Sequence, residues 1–458
     1  MASVFKENQM NQTMLRWLGG WMGGLLLGST TMAAAGEVDK VAKVKLDSQL
    51  AAIAGDVRQP LASLSVLAIR DGQPVYQQQF GYRYLPPQAE QRLPVTADTL
   101  FRIASVSKMM TTLALMRLVE QHQLQLDQDV GIYLGFSLRN PSFPKQAITL
   151  RSLLSHTSSL RDAGGYFWGA ERSLRDVFTA GGNAMWANNA APGQYFSYAN
   201  LNWGVIGTVM EKVTGERFDR LMRRLLLAPM GLRGGYNPAE FSPDELNDMA
   251  TLYRKRPADS ETWHPDGPWI AQVDEVQVQA PVQPAGLDNY MIGSNATIFS
   301  PTGGLRISAA DLGKVMQMLL AGGRYRGQQL LQPASIALMF TRQWQLAADG
   351  GNGDSDQGLF RAWGLGNQQF DSDGARGNGL VADAHFSAAG HLGDAYGLLS
   401  AFVLDFVNKN GMIYLIGGTG SDPARQRGPH TALSRPEEAV LDALYHGAIV
   451  HSGIIRTK

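Results

Sequence analysis

The β-rich runs of this chain stand near its two ends, and that separation limits the folds open to it. Leu61 to Arg70 reads as a strand, Asp71-Gly72 is a hairpin turn signal, and Pro74 to Tyr82 continues as a second strand. Far along the chain, Tyr396 to Phe406 reads as another strand, Asn408-Lys409-Asn410-Gly411 as a turn, and Met412 to Ile416 as its partner. Between them the apolar residues recur mainly at helical spacing. One antiparallel sheet built from both termini, with flanking helices and a mostly helical insertion, satisfies this order: an α/β chain of the α+β type. The sheet part is expected at about 40–108 and 295–458, and the helical part at about 109–294.

The helices carry their own signals. Lys40 to Asp56 places Val41, Val44, Leu46, Leu50 and Ile53 at helical spacing, and Leu201 to Leu227 reads as one strong helix ended by Pro229-Met230-Gly231-Leu232. Ala309 to Leu320 follows, and a last helix starts at Ser434, has Glu437 in the capping-box position, and runs toward Ile449. Asp162 to Gly193, rich in Gly, Ala and Asn, is expected to be a long loop with helical pieces that could wall a site. Asn237 to Gly293, with many prolines and polar residues, gives no clear assignment. Gly-Asp runs at Asp349 to Gly358 and Asp371 to Gly374 hint at calcium, but neither has the glutamate that an EF-hand loop places twelfth.

Composition excludes several classes. Of 458 residues 44% are apolar, enough for a sizeable core, so disorder is not the default. Forty basic and forty acidic residues leave no net charge, which argues against nucleic acid as a partner and for a small-molecule or peptide substrate. The first 35 residues have the layout of an export leader: Arg16, an apolar Gly-rich run from Trp17 to Leu27, then Ala33-Ala34-Ala35. The run is about half of what a bilayer span needs, so cleavage after Ala35 is expected, leaving 36–458 as one domain with no stable membrane span. Without cysteine there is no disulfide framework, thiolate metal site or lipidated cysteine.

The chemistry is concentrated in Phe101-Arg102-Ile103-Ala104-Ser105-Val106-Ser107-Lys108, which opens an apolar helical run. Residues i and i+3 share a helix face, so Lys108 can reach the Ser105 hydroxyl. A serine hydroxyl needs a base, and a lysine, ordinarily near a pKa of about 10.4, serves once burial makes it partly neutral. The N-terminal end of the helix favours an oxyanion at Ser105. The pattern alone is weak, because Ser142-Phe143-Pro144-Lys145 matches it too, although its prolines put it in a loop. No G-x-S-x-G elbow or H-E-x-x-H motif occurs, and the eight histidines show no ligand spacing; His122 and His446 are expected in helices, structural or solvent-facing.

Three further features bear on Ser105: Tyr198-Ala199-Asn200; Gly390-His391-Leu392-Gly393 before the strand expected from Tyr396; and the framing segments Leu153 to Leu160 and Pro301-Thr302-Gly303-Gly304-Leu305. In this order they resemble the serine β-lactamase and penicillin-binding-protein superfamily, in the branch of class C β-lactamases, D-alanyl-D-alanine carboxypeptidases, D-aminopeptidases and related esterases. The resemblance spans about Leu61 to Gly420 and implies a β-lactamase/transpeptidase-like fold without metal or cofactor. It also implies an acyl-accepting Ser105, Lys108 in the base machinery, Tyr198 as the proton shuttle, and Asn200 orienting the substrate amide. A phenol beside Lys108 would have its pKa lowered. Where the β-lactamases have K-T-G this chain reads His391-Leu392-Gly393, the form of the peptidase and aminopeptidase members. There Gly393 would leave room for a substrate strand, Asp394 would give its N–H as the second oxyanion donor, and His391, if it meets a substrate carboxylate, would gain charge toward pH 6. A second departure is Ser159, where related chains often have Gly.

The reading expected from these residues is an exported, periplasmic or secreted serine hydrolase acting through an acyl-enzyme on D-amino-acid-type peptides or amides. A carboxylesterase or weak β-lactamase is the alternative within enzymes. A non-catalytic binder of penicillin or cell-wall peptides is the alternative outside them, against which an intact Ser105, Lys108 and Tyr198 argue.

Overall fold

The computed structural model describes residues 25–180, 182–371, 378–383 and 386–450. The expected leader lies outside them up to residue 24, as does most of the second Gly-Asp run. Helix α1 (Leu25–Ala54) starts earlier than the expected Lys40 and buries Leu46 and Leu50, while Val41 and Val44 stay exposed. Strands β1 (Ser63–Arg70) and β2 (Gln73–Tyr84) form the expected hairpin, with Asp71 and Gly72 both at positive φ, and β3 (Leu93–Pro94) closes that edge. The middle of the chain holds α2 (Val106–Glu120), α3 (Leu201–Thr214) and the short strand β4 (Leu252–Arg254), the last inside the stretch that the sequence left unassigned.

Helix α4 (Ala309–Leu320) begins at its Ser308 cap as expected. Short strands β5 (Trp344–Gln345), β6 (Ala362–Trp363) and β7 (Gln368–Phe370) lead to β8 (Ala388–Ala395), β9 (Leu398–Asp405), β10 (Asn410–Ile416) and β11 (Gly418–Thr419), and α5 (Arg435–Leu444) ends the fold. Nine strands form one antiparallel sheet in the order β5-β6-β7-β8-β9-β10-β1-β2-β3, and β11 pairs in parallel with β4. The alternation of strand side chains splits the core into two layers. Leu64, Val66 and Ala68 of β1, with Met412, Tyr414 and Ile416 of β10, face α1 and α5. Leu67, Ile69, Ile413 and Leu415 face α2, α3 and α4.

Two expected elements change. The helix expected over Leu201–Leu227 stops at Thr214, where Gly215 takes φ +66, and restarts at Phe218, whose N–H is capped by the Glu211 carboxylate at 2.7 Å. The strand expected from Tyr396 starts at Leu398, because Tyr396 (φ +58) and Gly397 (φ +91) are the turn of the β8–β9 hairpin. The His391-Leu392-Gly393 motif is therefore inside a strand of its own. His122 lies just beyond the end of α2, at φ +58, rather than within a helix. No helix among the described residues is long and apolar enough to cross a membrane.

Candidate active site

Ser105 is placed by a tight turn. Phe101-Arg102 pairs with Arg306-Ile307, and the Ile103 N–H donates to the Leu305 carbonyl at 2.9 Å. The chain then passes through Ala104 at φ +47, a left-handed conformation that costs a non-glycine residue about 1–2 kcal/mol. Ser105 caps α2 without using its side chain to do so, which leaves the hydroxyl free. Helix α2 is buried almost all round, so Lys108 is fully enclosed at 0% exposure.

The Lys108 Nζ has three neighbours: Ser105 Oγ at 2.8 Å, Asn200 Oδ1 at 2.8 Å and the Thr302 carbonyl at 3.1 Å. Two of these accept only. An ammonium donates to all three; a neutral amine, with two N–H groups and one lone pair, donates to Asn200 and Thr302 and can accept from the Ser105 hydroxyl. Burial pushes the Lys108 pKa well below its ordinary value, and Asp162 opposes this only in part. Burial thus lowers the cost of the neutral amine, the form in which Lys108 can take the Ser105 proton.

Tyr198 reaches the same serine, to which its hydroxyl is hydrogen-bonded. Lys108 Nζ lies 4.9 Å from the centre of the Tyr198 ring. The expected lowering of the Tyr198 pKa is corrected: burial among the surrounding side chains raises it, and the hydrogen bond with Ser105 offsets this only in part. Tyr198 is held by His156, a residue without a motif of its own. The His156 ring stacks on it at 4.4 Å, and His156 Nδ1 accepts the Ala199 N–H at 3.0 Å. The proton of His156 is therefore on Nε2, which meets aromatic surroundings that include Trp363, edge-on at 5.0 Å. Burial, with Lys108 and His391 nearby, keeps this imidazole neutral.

The Asn200 side chain is held from both ends. Its Oδ1 takes Lys108 Nζ and Thr302 Oγ1 (2.8 Å), and its Nδ2 donates to Asp162 at 2.9 Å, so its amide is committed to the protein and orients the lysine. Asp162 also accepts the N–H groups of Asn200 (2.8 Å) and Leu201 (3.0 Å), fixing the start of α3. Asp162 and Thr302 lay within segments that the sequence reading marked, but nothing local identified them as partners of Lys108.

On the sheet side, β7 pairs only with Ala388 to Gly390, so the β8 edge from His391 onward faces the cleft. His391 corrects a second expectation. It is 2% exposed; its Nδ1 lies 2.6 Å from the Leu392 carbonyl and must donate to it, and burial beside Lys108 pushes its pKa down to about 3. It therefore stays neutral near pH 6 and offers no positive charge to a carboxylate. At Gly393 a Cβ would lie 3.0 Å from Ser105 N and 2.8 Å from the Ile103 carbonyl, so the missing side chain makes room for the Ser105 turn itself. Asp394 lies beside it with an exposed side chain, its carboxyl pushed up to about 6, mainly by the surrounding protein atoms and then by Glu437.

These residues line a cleft of about 260 Å³ that includes Ser105, Tyr198, Phe360, Trp363, His391 and Asp394. Ser159 lies in the neighbouring loop at φ +67, a left-handed position that suits glycine; here its Oγ is held by Asn140 Nδ2 at 3.1 Å. Among the described residues no group of three or more His, Asp or Glu side chains is arranged to hold a metal ion.

Comparison with known proteins agrees with this geometry. The family model described as Beta-lactamase matches residues 46–435. Penicillin-binding protein 4* of Bacillus subtilis is 28% identical over 196 residues, covering 41% of each chain. Penicillin-binding protein 4 of Amycolatopsis lactamdurans is 29% identical over 290 residues, 62% of this chain and 66% of that one. The chain thus spans less than two thirds of the length of these relatives. The D-amino acid amidase of Ochrobactrum anthropi SV3 superposes with a TM-score of 0.60 at 19% identity, over 88% of this chain and 99% of the other. The fold, the matched span and these likenesses agree, and the chain belongs to the beta-lactamase family.

Proposed function

We propose that this protein is an exported serine hydrolase that forms an acyl-enzyme on Ser105, acting on peptides or amides of D-amino-acid type. The observation that carries the proposal is the set of three neighbours around Lys108, which suits a neutral amine accepting the Ser105 proton. In this reading Ser105 Oγ adds to the substrate carbonyl as its proton passes to Lys108. The N–H groups of Ser105 and Asp394 receive the oxyanion. Tyr198, protonated at rest and hydrogen-bonded to Ser105, donates to the leaving nitrogen and regains a proton from the Lys108 ammonium. Water then hydrolyses the ester with the same groups in reverse order. The D-amino acid amidase likeness supports the substrate class, and the leader sequence supports export. A carboxylesterase activity is the second reading, favoured by the neutral His391, which leaves the H-x-G position without a charge for a substrate carboxylate.

A labelled fluorophosphonate should attach to Ser105 in the folded protein, with mass spectrometry placing the adduct on the Ser105 peptide. Finding none at excess probe sinks the proposal. Faster turnover of D-alanine p-nitroanilide than of its L-isomer supports the D-amino-acid class, whereas turnover of p-nitrophenyl esters alone favours the esterase.

A further inference from the structure

The loop between β5 and β6 contains a strained turn that ends against the Tyr198 phenol. Asp356 and Gln357 take φ +43 and +57, left-handed conformations that residues with a Cβ rarely adopt, and Gly358 follows at φ +92. Both side chains are exposed, so neither conformation is imposed by what its own side chain packs against. The turn closes through the Gly358 and Phe360 N–H groups, which donate to the Ser355 carbonyl at 3.0 and 2.8 Å. Phe360 is thereby returned to the cleft, which it lines together with Ser105 and Tyr198. Backbone strain of this kind persists only where the surroundings hold it, and it concentrates at functional sites.

The loop is also tied to the segment that carries Tyr198. The Phe196 N–H donates to the Asn352 carbonyl and the Asp354 N–H to the Phe196 carbonyl, both at 3.0 Å, while Tyr195 Oη donates to Asp354 Oδ1 at 2.8 Å. Phe196, Trp344 and Trp363 form a small buried core against which Tyr198 and Phe360 both pack. The Phe360 ring lies nearly parallel to that of Tyr198, with 5.4 Å between centres and 13° between planes. His156, stacked at 4.4 Å, and Trp363, edge-on at 5.8 Å, complete the set of rings that confine the phenol. Phe360 has no polar side-chain atom, so it can take no part in proton transfer and acts on Tyr198 through shape alone. Rotation of the Tyr198 ring would carry its hydroxyl away from Ser105, and a misplacement of about 1 Å in a reacting group can cost about a hundredfold in rate.

We infer that Phe360 is a positioning residue: the strained turn holds its ring against Tyr198, so that the phenol keeps its hydrogen bond to Ser105. The inference rests on the reading of Tyr198 as the proton donor.

Steady-state hydrolysis of p-nitrophenyl acetate by wild type, Phe360→Ala, Tyr198→Phe and the double variant forms a double-mutant cycle that tests it. Phe360→Ala should lower kcat at least about tenfold and leave KM within about threefold, because the ring acts on the proton donor and not on the substrate. Phe360→Tyr keeps the flat ring and should hold kcat within about threefold of wild type. In the Tyr198→Phe background Phe360→Ala should change kcat less than about twofold, since the hydroxyl that Phe360 positions is already gone. Urea unfolding identifies a variant that does not fold; Phe360→Leu, which keeps apolar volume without a flat ring, then replaces Phe360→Ala in the cycle. A kcat loss that persists undiminished in the Tyr198→Phe background, a raised KM with kcat unchanged, or wild-type kinetics in Phe360→Ala would each overturn the inference. Wild-type kcat in Tyr198→Phe would overturn the proton-donor reading itself, and the inference with it.

Discussion

A single proton on Lys108 governs the chemistry open to Ser105. Lys108 is enclosed, has its pKa lowered by burial, and is surrounded by two obligate acceptors and one hydroxyl. Truncation to Ala removes the base and Tyr198→Phe removes the acid, so each should lower turnover by about a hundredfold or more. Tyr198→Phe should leave the melting temperature nearly unchanged, because the stacking on His156 remains. The direction of the pH dependence follows from the same groups. A base works only when neutral, so turnover should fall on the acid side as Lys108 protonates, at a pH well below the ordinary lysine value. Tyr198, with its pKa raised, should add no alkaline limb below about pH 9. A rate profile measured on a neutral ester checks both limbs; an alkaline limb near pH 8 that disappears in Tyr198→Phe would contradict the assignment. At this scale the sequence was legible where partners are close in the chain. Ser105 and Lys108 are one turn apart and announce each other, whereas Thr302, Asp162 and His156 meet the site only through the fold.

Among the elements, the β8 edge and the turn before α2 must fit against each other. Gly393 has no spare volume there: a Cβ would be 2.5 Å from Ser400 Oγ, 2.8 Å from the Ile103 carbonyl and 3.0 Å from Ser105 N. Gly393→Ala should therefore push the strand from the Ser105 turn, costing about 1–3 kcal/mol of stability and at least about tenfold in turnover. Denaturant unfolding and ester kinetics measure the two effects; wild-type values for both would show that the fit is loose. Strong local signals made some elements readable, such as α4 behind its Ser308 cap and the β1–β2 hairpin at Asp71-Gly72. Strand β8 was not, since Ala-Ala-Gly-His-Leu-Gly-Asp-Ala has no β-branched residue and becomes a strand because β9 pairs with it along its length. The break after Thr214 was hidden for a related reason: the Glu211 carboxylate that caps the next helix is a tertiary feature, and the apolar periodicity continues past it.

Glu211 also links the parts of the molecule, and this gives the whole chain a pH-dependent stability. Its carboxyl is 0% exposed and receives the Phe218 N–H at 2.7 Å, the Gly293 N–H at 2.8 Å and the Tyr290 hydroxyl, fastening the end of α3 to the next helix and to the loop that leads on to Thr302. Burial outweighs these three donors and raises its pKa to about 7, from an ordinary value of 4.5. The folded state therefore holds the Glu211 proton more tightly than the unfolded chain does. The corresponding stability is fully present below about pH 4.5 and is lost as pH rises toward 7, with a total change of about 3 kcal/mol. Glu211→Gln removes the titration and keeps the side-chain shape, although an amide cannot accept from all three donors, so its baseline stability should be lower. The diagnostic quantity is the difference in unfolding free energy between wild type and variant. It should shrink by about 2.5 kcal/mol between pH 5 and pH 8, because ionising Glu211 costs the wild type stability and leaves the variant unaffected. Urea unfolding at those two pH values measures it, and a difference that stays constant would mean that Glu211 is charged throughout and that its three donors outweigh burial.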